Sequence, residues 1–350
     1  MNKKKIGILT HPLINNYGGI LQAFALSSYI RSLGYEPLVI DRRNNRSVVK
    51  NLIISILKKS PFTSLGQYTI RIKQITTFIE KNIPRTKPIH NEKGLRIICN
   101  QNHFDAIIVG SDQVWRAGFV DQYGGNYFLD FVPKAHETKK IAYAASMGLS
   151  EWNFSSSYTK NMKTWLDDFK SISVREKYVV KLLKQHIGCE ATHVLDPTLL
   201  VSSYIYEPIT SRRLTEKSYA FIYWLGDRTE LQVHVEKLKL QGLEIVDVSL
   251  RSNEPQISVE DWLSYIKNAD VILTDSFHGC VFSLIFHRHI LLCNNKSGGY
   301  GRLQSLFSML KIDIEEGDGC VNIQPDYDSF EANISILRNK SRDFLSKALA

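Results

Sequence analysis

The segment Val271-Ile272-Leu273-Thr274-Asp275-Ser276-Phe277-His278-Gly279 carries the clearest chemical signal: an apolar run ends in short polar residues and a helical pattern begins at once. Asp275 or Ser276 is a good N-cap. The free N–H groups of the first turn, added to the helix dipole, make a natural anion site. His278 falls in that turn, where an imidazole can donate to a phosphate or move a proton, and Gly279 leaves room for a ligand. The plain alternative is a cap beside a satisfied histidine. Arg302, after Gly298-Gly299-Tyr300-Gly301, opens another helical pattern, and Arg175 follows the strand-like Ile172-Ser173-Val174. Arginine suits two-pronged recognition of carboxylate or phosphate. A solvated arginine and an ion pair are the respective alternatives.

A second group has a different character. Asn15-Asn16-Tyr17-Gly18-Gly19 occupies the place of a phosphate-binding turn but lacks G-x-G-x-x-G, so a dinucleotide reading is weak despite Asp41. Its amides, aromatic ring and glycines suit hydrogen bonding and stacking to a sugar, against the alternative of an ordinary turn. Gly110-Ser111-Asp112-Gln113-Val114-Trp115 again mixes polar groups with an aromatic, although Trp115 could be packed core. Three other signals carry less weight. His287-Arg288-His289 reads as surface rather than metal site. Cys280 lies in a first helical turn, where a thiol pKa can fall, but has no evident base. Lys3-Lys4-Lys5 reads as the solvated start of a strand.

Strands ending in loops must present these groups. Ile6–Leu9, a loop, a helix with Leu21, Phe24, Ala25, Ser28 and Tyr29 at helical spacing, and Pro37–Asp41 make a βαβ unit and hence a parallel sheet. Residues 48–82 read as mainly helical, broken near Pro61. Further strands are expected at 104–109, 140–144, 171–174 and 191–195. After a polar stretch at 202–217, strands are expected at 219–224, 243–248, 271–274 and 290–293. Helices are expected at 231–240, 259–268, 277–286, 302–311 and 328–347. The pattern predicts an α/β protein with two Rossmann-like domains, 1–205 and 206–350, facing across a cleft between strand carboxyl ends. The last helix is expected to return to the first domain.

The 350 residues, 43% of them hydrophobic and 23% charged, suit a globular protein of two domains. No apolar run has the length of a membrane span, and the N-terminus does not read as a signal peptide. Five widely spaced cysteines argue against a disulfide framework or structural zinc and for reduced cytosolic thiols. A formal net charge of +9 favours an anionic partner. Nucleic acid, lipid headgroups and a phosphorylated small molecule all satisfy that balance.

Taken together, six blocks resemble the polysaccharide pyruvyltransferase family. They are Asn16-Tyr17-Gly18-Gly19-Ile20-Leu21-Gln22-Ala23-Phe24-Ala25-Leu26, Val109-Gly110-Ser111-Asp112-Gln113-Val114-Trp115, Ile141-Ala142-Tyr143-Ala144-Ala145-Ser146, Ile172-Ser173-Val174-Arg175-Glu176, Leu195-Asp196-Pro197-Thr198-Leu199-Leu200 and Leu273-Thr274-Asp275-Ser276-Phe277-His278-Gly279. Their order and spacing are specific jointly. The resemblance implies a glycosyltransferase-B-like arrangement and transfer of pyruvate from phosphoenolpyruvate to two sugar hydroxyls as a ketal. His278 matches the family's catalytic histidine, and Arg175 and Arg302 match arginines that hold the donor, with Ser276, Phe277 and Gly279 beside them. Asn16, Tyr17, Gly18, Asp112 and Trp115 are assigned to the acceptor, making the first domain the acceptor side and the second the donor side. Lys311-Ile312-Asp313-Ile314-Glu315-Glu316 departs from the pattern by lacking an arginine that relatives carry, which puts the full set of donor cations in question. No metal, cofactor or nucleic acid is expected, and the oligomeric state is open. The acceptor is expected to be a lipid-linked or polymeric glycan, and the protein cytoplasmic and peripheral at the inner face of the membrane. The competing readings are a nucleotide-sugar glycosyltransferase of similar fold and a non-catalytic carbohydrate-binding protein.

Overall fold

Short, wholly apolar strands such as Ala106–Val109 and Val271–Thr274 are what parallel sheets covered on both faces require. A computed structural model describes residues 3–120, 122–133, 137–229, 231–249, 255–293, 300–314 and 319–350. In the first half, β1 (Lys5–Leu9), α1 (Tyr17–Ser32) and β2 (Glu36–Val39) form the opening βαβ unit. Helices α2 (Val48–Leu57), α3 (Ser64–Arg71), α4 (Lys73–Asn82) and α5 (Glu92–Asn102) precede β3 (Ala106–Val109). Then come α6 (Ala117–Val120), β4 (Lys139–Ala145), α7 (Ser156–Leu166), β5 (Ser171–Val174), α8 (Lys177–Ile187), β6 (Thr192–His193) and α9 (Pro197–Leu200). The second half runs β7 (Tyr219–Tyr223), α10 (Leu231–Leu240), β8 (Glu244–Asp247), α11 (Val259–Asn268), β9 (Val271–Thr274), α12 (Phe277–Ile285) and β10 (His289–Cys293). It ends with α13 (Tyr300–Leu310), β11 (Cys320–Ile323) and α14 (Tyr327–Leu349).

The first sheet has the order β2-β1-β3-β4-β5-β6, with every pair parallel. The second has the order β11-β10-β9-β7-β8, parallel except for the β10–β11 pair. In each sheet the chain reverses winding direction once: between β1 and β3 in the first, and between β7 and β9 in the second. Doubly wound sheets bind ligands at such switch points, beyond the strand carboxyl ends. The loops after β1 and β3 carry Asn16 and Asp112, and the first turn of α12, which follows β9 directly, carries His278.

Helices α1 and α12 are buried along almost their whole length because each is apolar on every side. They pack against one another, and one hydrophobic core containing both runs through the two halves. Helix α14 lies against the first half. Its Ser341 Oγ accepts from the Leu195 N–H at 3.1 Å, and Arg338 Nε donates to the Leu199 carbonyl at 2.9 Å. Among the described residues no helix is long and apolar enough to cross a membrane.

The cysteines differ from expectation. Cys293 and Cys320 face one another in the β10–β11 register and are joined by a disulfide, with His234 Nε2 3.3 Å from Cys320 Sγ. These three are the one group of potential metal ligands that the described residues bring together. Spacing hid the pair because β11, a strand the sequence pattern does not announce, is what aligns the two cysteines. Cys280 is fully buried, and burial pushes its thiol up rather than down. His287 lies at the surface, 3.1 Å from Glu331 Oε1 and stacked on Tyr327. His289 Nε2 pairs with Asn322 Oδ1.

Candidate active site

The site forms where the N-termini of α1 and α12 meet. Asn16 caps α1 by accepting from the Gly19 N–H at 3.1 Å. Ser276 caps α12, accepting from the Gly279 N–H at 3.3 Å. Asp275, the other candidate cap, is committed elsewhere: its carboxylate accepts from the Leu225 and Gly226 N–H groups, each at 2.7 Å, and so ties the loop after β7 to β9. Gly18 has a steric task. A Cβ there would lie 2.1 Å from His278 Nδ1, so only glycine lets the two helix starts close.

His278 is buried, and its Nε2 has no hydrogen-bond partner. Asp196 Oδ2 is 3.7 Å away, an ion-pair distance rather than a hydrogen bond. Asp196 caps α9, its Oδ1 accepting from the Thr198 N–H at 3.0 Å and the Thr198 hydroxyl at 2.7 Å. Its Oδ2 accepts from Arg175 at 2.8 Å and from Ser111 Oγ at 3.1 Å. Burial alone would raise this carboxyl, but His278 and Arg175 hold it far below the usual carboxylate range.

Arg175 joins three acids. It donates to Asp196 and, through Nε, to Glu176 Oε1 at 3.2 Å, and its other nitrogen lies 3.9 Å from Asp112 Oδ1. Burial works against its charge, yet these acids raise its pKa above the ordinary arginine value. Phe277 sits beneath it, with the guanidinium carbon 4.3 Å from the ring centroid, and Arg302 approaches the same ring at 5.9 Å. The aromatic face thus supports two cations that repel one another. Burial first, and Arg175 second, lower the Arg302 pKa. Glu176 is raised by burial despite Arg175 and a 2.6 Å hydrogen bond from Ser146 Oγ.

Several buried donors here lack partners: Arg175 NH2, Arg302 Nε, His278 Nε2 and the Tyr178 hydroxyl. Unpaired buried donors are costly and rare. Arg302, the one guanidinium nitrogen of Arg175 left without a hydrogen bond, and an imidazole beside a helix start have the donors that a small, highly charged anion requires.

The acceptor group separates into two kinds. Asp112 lies within electrostatic reach of His11, Arg175, His278 and Arg302, which lower its carboxyl although burial alone would raise it. Asn16 and Gly18 lie at the same helix junction. Tyr17 does not present a free face: its ring stacks on Trp262 at 5.3 Å and its hydroxyl donates to the Ile257 carbonyl at 2.9 Å, joining the halves. Trp115 is completely buried, stacked on Phe128, with its indole N–H donating to the Tyr127 carbonyl. Both are packing residues, because every polar and aromatic surface they own is taken by protein.

Asp196, Glu176, Tyr178 and His11 were not singled out by sequence reasoning. Asp before Pro at a helix start, and an acid directly after Arg175, were the available signals. Gly298 and Gly299 of the loop before Arg302, and Glu315 and Glu316 of the departing segment, lie outside the described residues.

A family model described as "Polysaccharide pyruvyl transferase" matches residues 16–297. No curated protein sequence matches. Among solved structures, the chain is similar to a protein described as a UDP-N-acetylglucosamine 2-epimerase from Listeria monocytogenes, with TM-score 0.54 and 9% identity over 95% of this chain and 91% of that one. The UDP-GlcNAc 2-epimerase of Methanocaldococcus jannaschii gives TM-score 0.52 and 12% identity over 97% and 94%. Spinosyn forosaminyltransferase SpnP gives 0.49 and 10% over 98% and 95%. At such identities the likeness concerns the fold alone, a glycosyltransferase-B-like pair of α/β halves.

Proposed function

The chain belongs to the polysaccharide pyruvyl transferase family, and we propose that it transfers pyruvate from phosphoenolpyruvate to two hydroxyls of a sugar, forming a ketal and releasing phosphate. The observation that supports this reading is the set of buried nitrogens around Phe277 without a hydrogen bond: Arg302 Nε, Arg175 NH2 and His278 Nε2. Phosphoenolpyruvate offers a carboxylate and a phosphate on a three-carbon frame, which two guanidinium groups and the α12 N-terminus match in charge and scale.

Protonation of the donor's C3 turns its methylene into a methyl group and leaves C2 electron-poor. A sugar hydroxyl adds to C2 and loses its proton; a second hydroxyl then displaces phosphate at C2 and closes the ring. The first hydroxyl's proton returns to the group that protonated C3, and the second hydroxyl's proton leaves on phosphate. His278 supplies the proton or neutralises the departing phosphate, with Asp196 Oδ2 3.7 Å from its Nε2. Positioned proton transfer contributes about 10²–10⁴-fold, and electrostatic stabilisation by the arginines adds to it. Asp112, Asn16 and the α1 N-terminus are the proposed acceptor side, and a lipid-linked glycan is the acceptor class proposed.

The test is incubation with phosphoenolpyruvate and a panel of sugar acceptors, following phosphate release and the mass gain of a pyruvate ketal. Turnover of a nucleotide sugar in place of phosphoenolpyruvate would overturn the reading.

A further inference from the structure

Residues 42–79 contain eight basic side chains (Arg42, Arg43, Arg46, Lys50, Lys58, Lys59, Arg71, Lys73) and no Asp or Glu. One stretch therefore holds a charge of +8, against +9 for the whole chain. Within it, α2 turns its apolar side to solvent. Val49, Leu52, Ile53 and Ile56 follow helical i, i+3, i+4, i+7 spacing and are 67%, 63%, 51% and 62% exposed. Phe62, in the turn to α3, is 93% exposed, and Ile70 on α3 is 58% exposed. Helices on globular proteins ordinarily bury such a stripe, and a contiguous exposed apolar patch marks an interaction surface.

The cations are arranged around this stripe. Lys50, Lys58 and Lys59 are exposed at the two ends of α2. Behind the helix, a groove of about 660 Å³ is lined by Leu13, Ile14, Arg43, Arg46, Ile54 and Lys58. Arg43 and Arg46 crowd Lys58, where the acid acting against them is Asp41, itself paired with Arg43. Leu13 and Ile14 belong to the loop that continues into Asn16 and the α1 N-terminus, so the groove reaches toward the candidate acceptor side.

We propose that α2 and the turn into α3 form a membrane-docking element that lays Val49, Leu52, Ile53, Ile56 and Phe62 into an anionic bilayer surface. An apolar helical stripe bordered by lysines is the pattern of an interfacial helix, with the apolar side in the acyl boundary and cations among headgroups. At ten residues α2 spans about 15 Å, too short to cross and long enough to lie in the plane. Neither nucleic acid nor an acidic protein surface makes use of five large exposed apolar side chains in the same patch. The docked element would bring the Leu13–Ile14 loop to the membrane face, where an acceptor on a lipid carrier is presented.

The experiment is co-sedimentation of the full chain with vesicles of phosphatidylcholine alone and of phosphatidylcholine mixed equally with phosphatidylglycerol. Binding is expected to the anionic vesicles, to fall steeply with added salt, and to be at least about tenfold weaker on phosphatidylcholine alone. Leu52→Glu with Ile56→Glu, and separately Lys58→Glu with Lys59→Glu, should each weaken binding by about tenfold or more while leaving the unfolding midpoint unchanged, because all four side chains are exposed. A wild-type chain that stays in the supernatant with anionic vesicles overturns the proposal. So does a Leu52→Glu, Ile56→Glu variant that binds as wild type. If wild type ignores vesicles but self-associates through a surface the same substitutions disrupt, the patch is a protein interface and the proposal falls. Vesicle binding involves no donor or turnover, so its outcome is separate from that of the pyruvyl-transfer reading.

Discussion

His278→Ala is expected to lower turnover by at least about 10²-fold, as loss of a positioned proton donor or phosphate partner does. Single-turnover phosphate release measures it. His278→Gln separates the two roles: recovery of activity with Gln assigns hydrogen bonding, and inactivity equal to Ala assigns proton transfer. A folded His278→Ala enzyme at wild-type rate removes the histidine from the mechanism. The two arginines should behave differently from one another. Arg302 has an unpartnered Nε, so Arg302→Ala should weaken phosphoenolpyruvate binding by about 1.5–3 kcal/mol in calorimetry with little effect on folding. Arg175 neutralises Asp196 and Glu176 inside the protein, so Arg175→Ala strands buried acids and should cost about 3–5 kcal/mol of stability. Equal stability losses in the two variants would contradict this division.

At the scale of elements, the decisive contact is between the starts of α1 and α12. Gly18→Ala places a methyl group within the His278 ring, and neither helix can retreat without disturbing the shared core. Overpacking of this kind costs about 1–3 kcal/mol. Urea unfolding should show that loss, and turnover should fall further than stability predicts because His278 is displaced. An alanine variant with unchanged kcat would mean that the junction is slack. Short apolar runs, caps and glycine-containing turns made the main strands and α1, α10, α11 and α12 legible in sequence. Strand β11 was not legible, because four residues of mixed polarity at a sheet edge need their partner β10 to become a strand. The Cys293–Cys320 pair was invisible for the same reason.

The two halves of the molecule are also joined by His193. Its Nε2 lies 3.0 Å from the Arg175 carbonyl in the first half and 3.4 Å from Ser305 Oγ on α13, and Ser305 Oγ also accepts from the Lys177 N–H at 2.8 Å. Burial lowers His193 from 6.5 to about 4, more than the Arg175 carbonyl raises it. The unfolded chain therefore takes up a proton that the folded chain refuses. This contribution is complete above pH 6.5 and is lost as pH falls toward 4. Between neutrality and about pH 5 it should remove about 2 kcal/mol. Denaturant midpoints at both pH values should differ more in wild type than in His193→Gln; an identical difference would exclude this histidine as the source. Acid thus destabilises the fold through a group that touches the backbone of Arg175.

From sequence alone came the two α/β halves, the strand ends that lead into Arg175 and Asp112, the helix starts that carry His278 and Arg302, and the expectation of an anionic donor. These are local properties: apolar runs, cap residues and charged side chains follow from residue type and spacing. Only the tertiary structure decided which residues remain available to a ligand. Tyr17 and Trp115 have the chemistry of sugar binders, but long-range packing against Trp262 and Phe128 consumes it. Asp196 looks like an ordinary helix cap until three segments distant in sequence bring Ser111, Arg175 and His278 to its second oxygen. Burial, and the pairing or isolation of each polar atom, depend on contacts between residues far apart along the chain, and no spacing rule contains them.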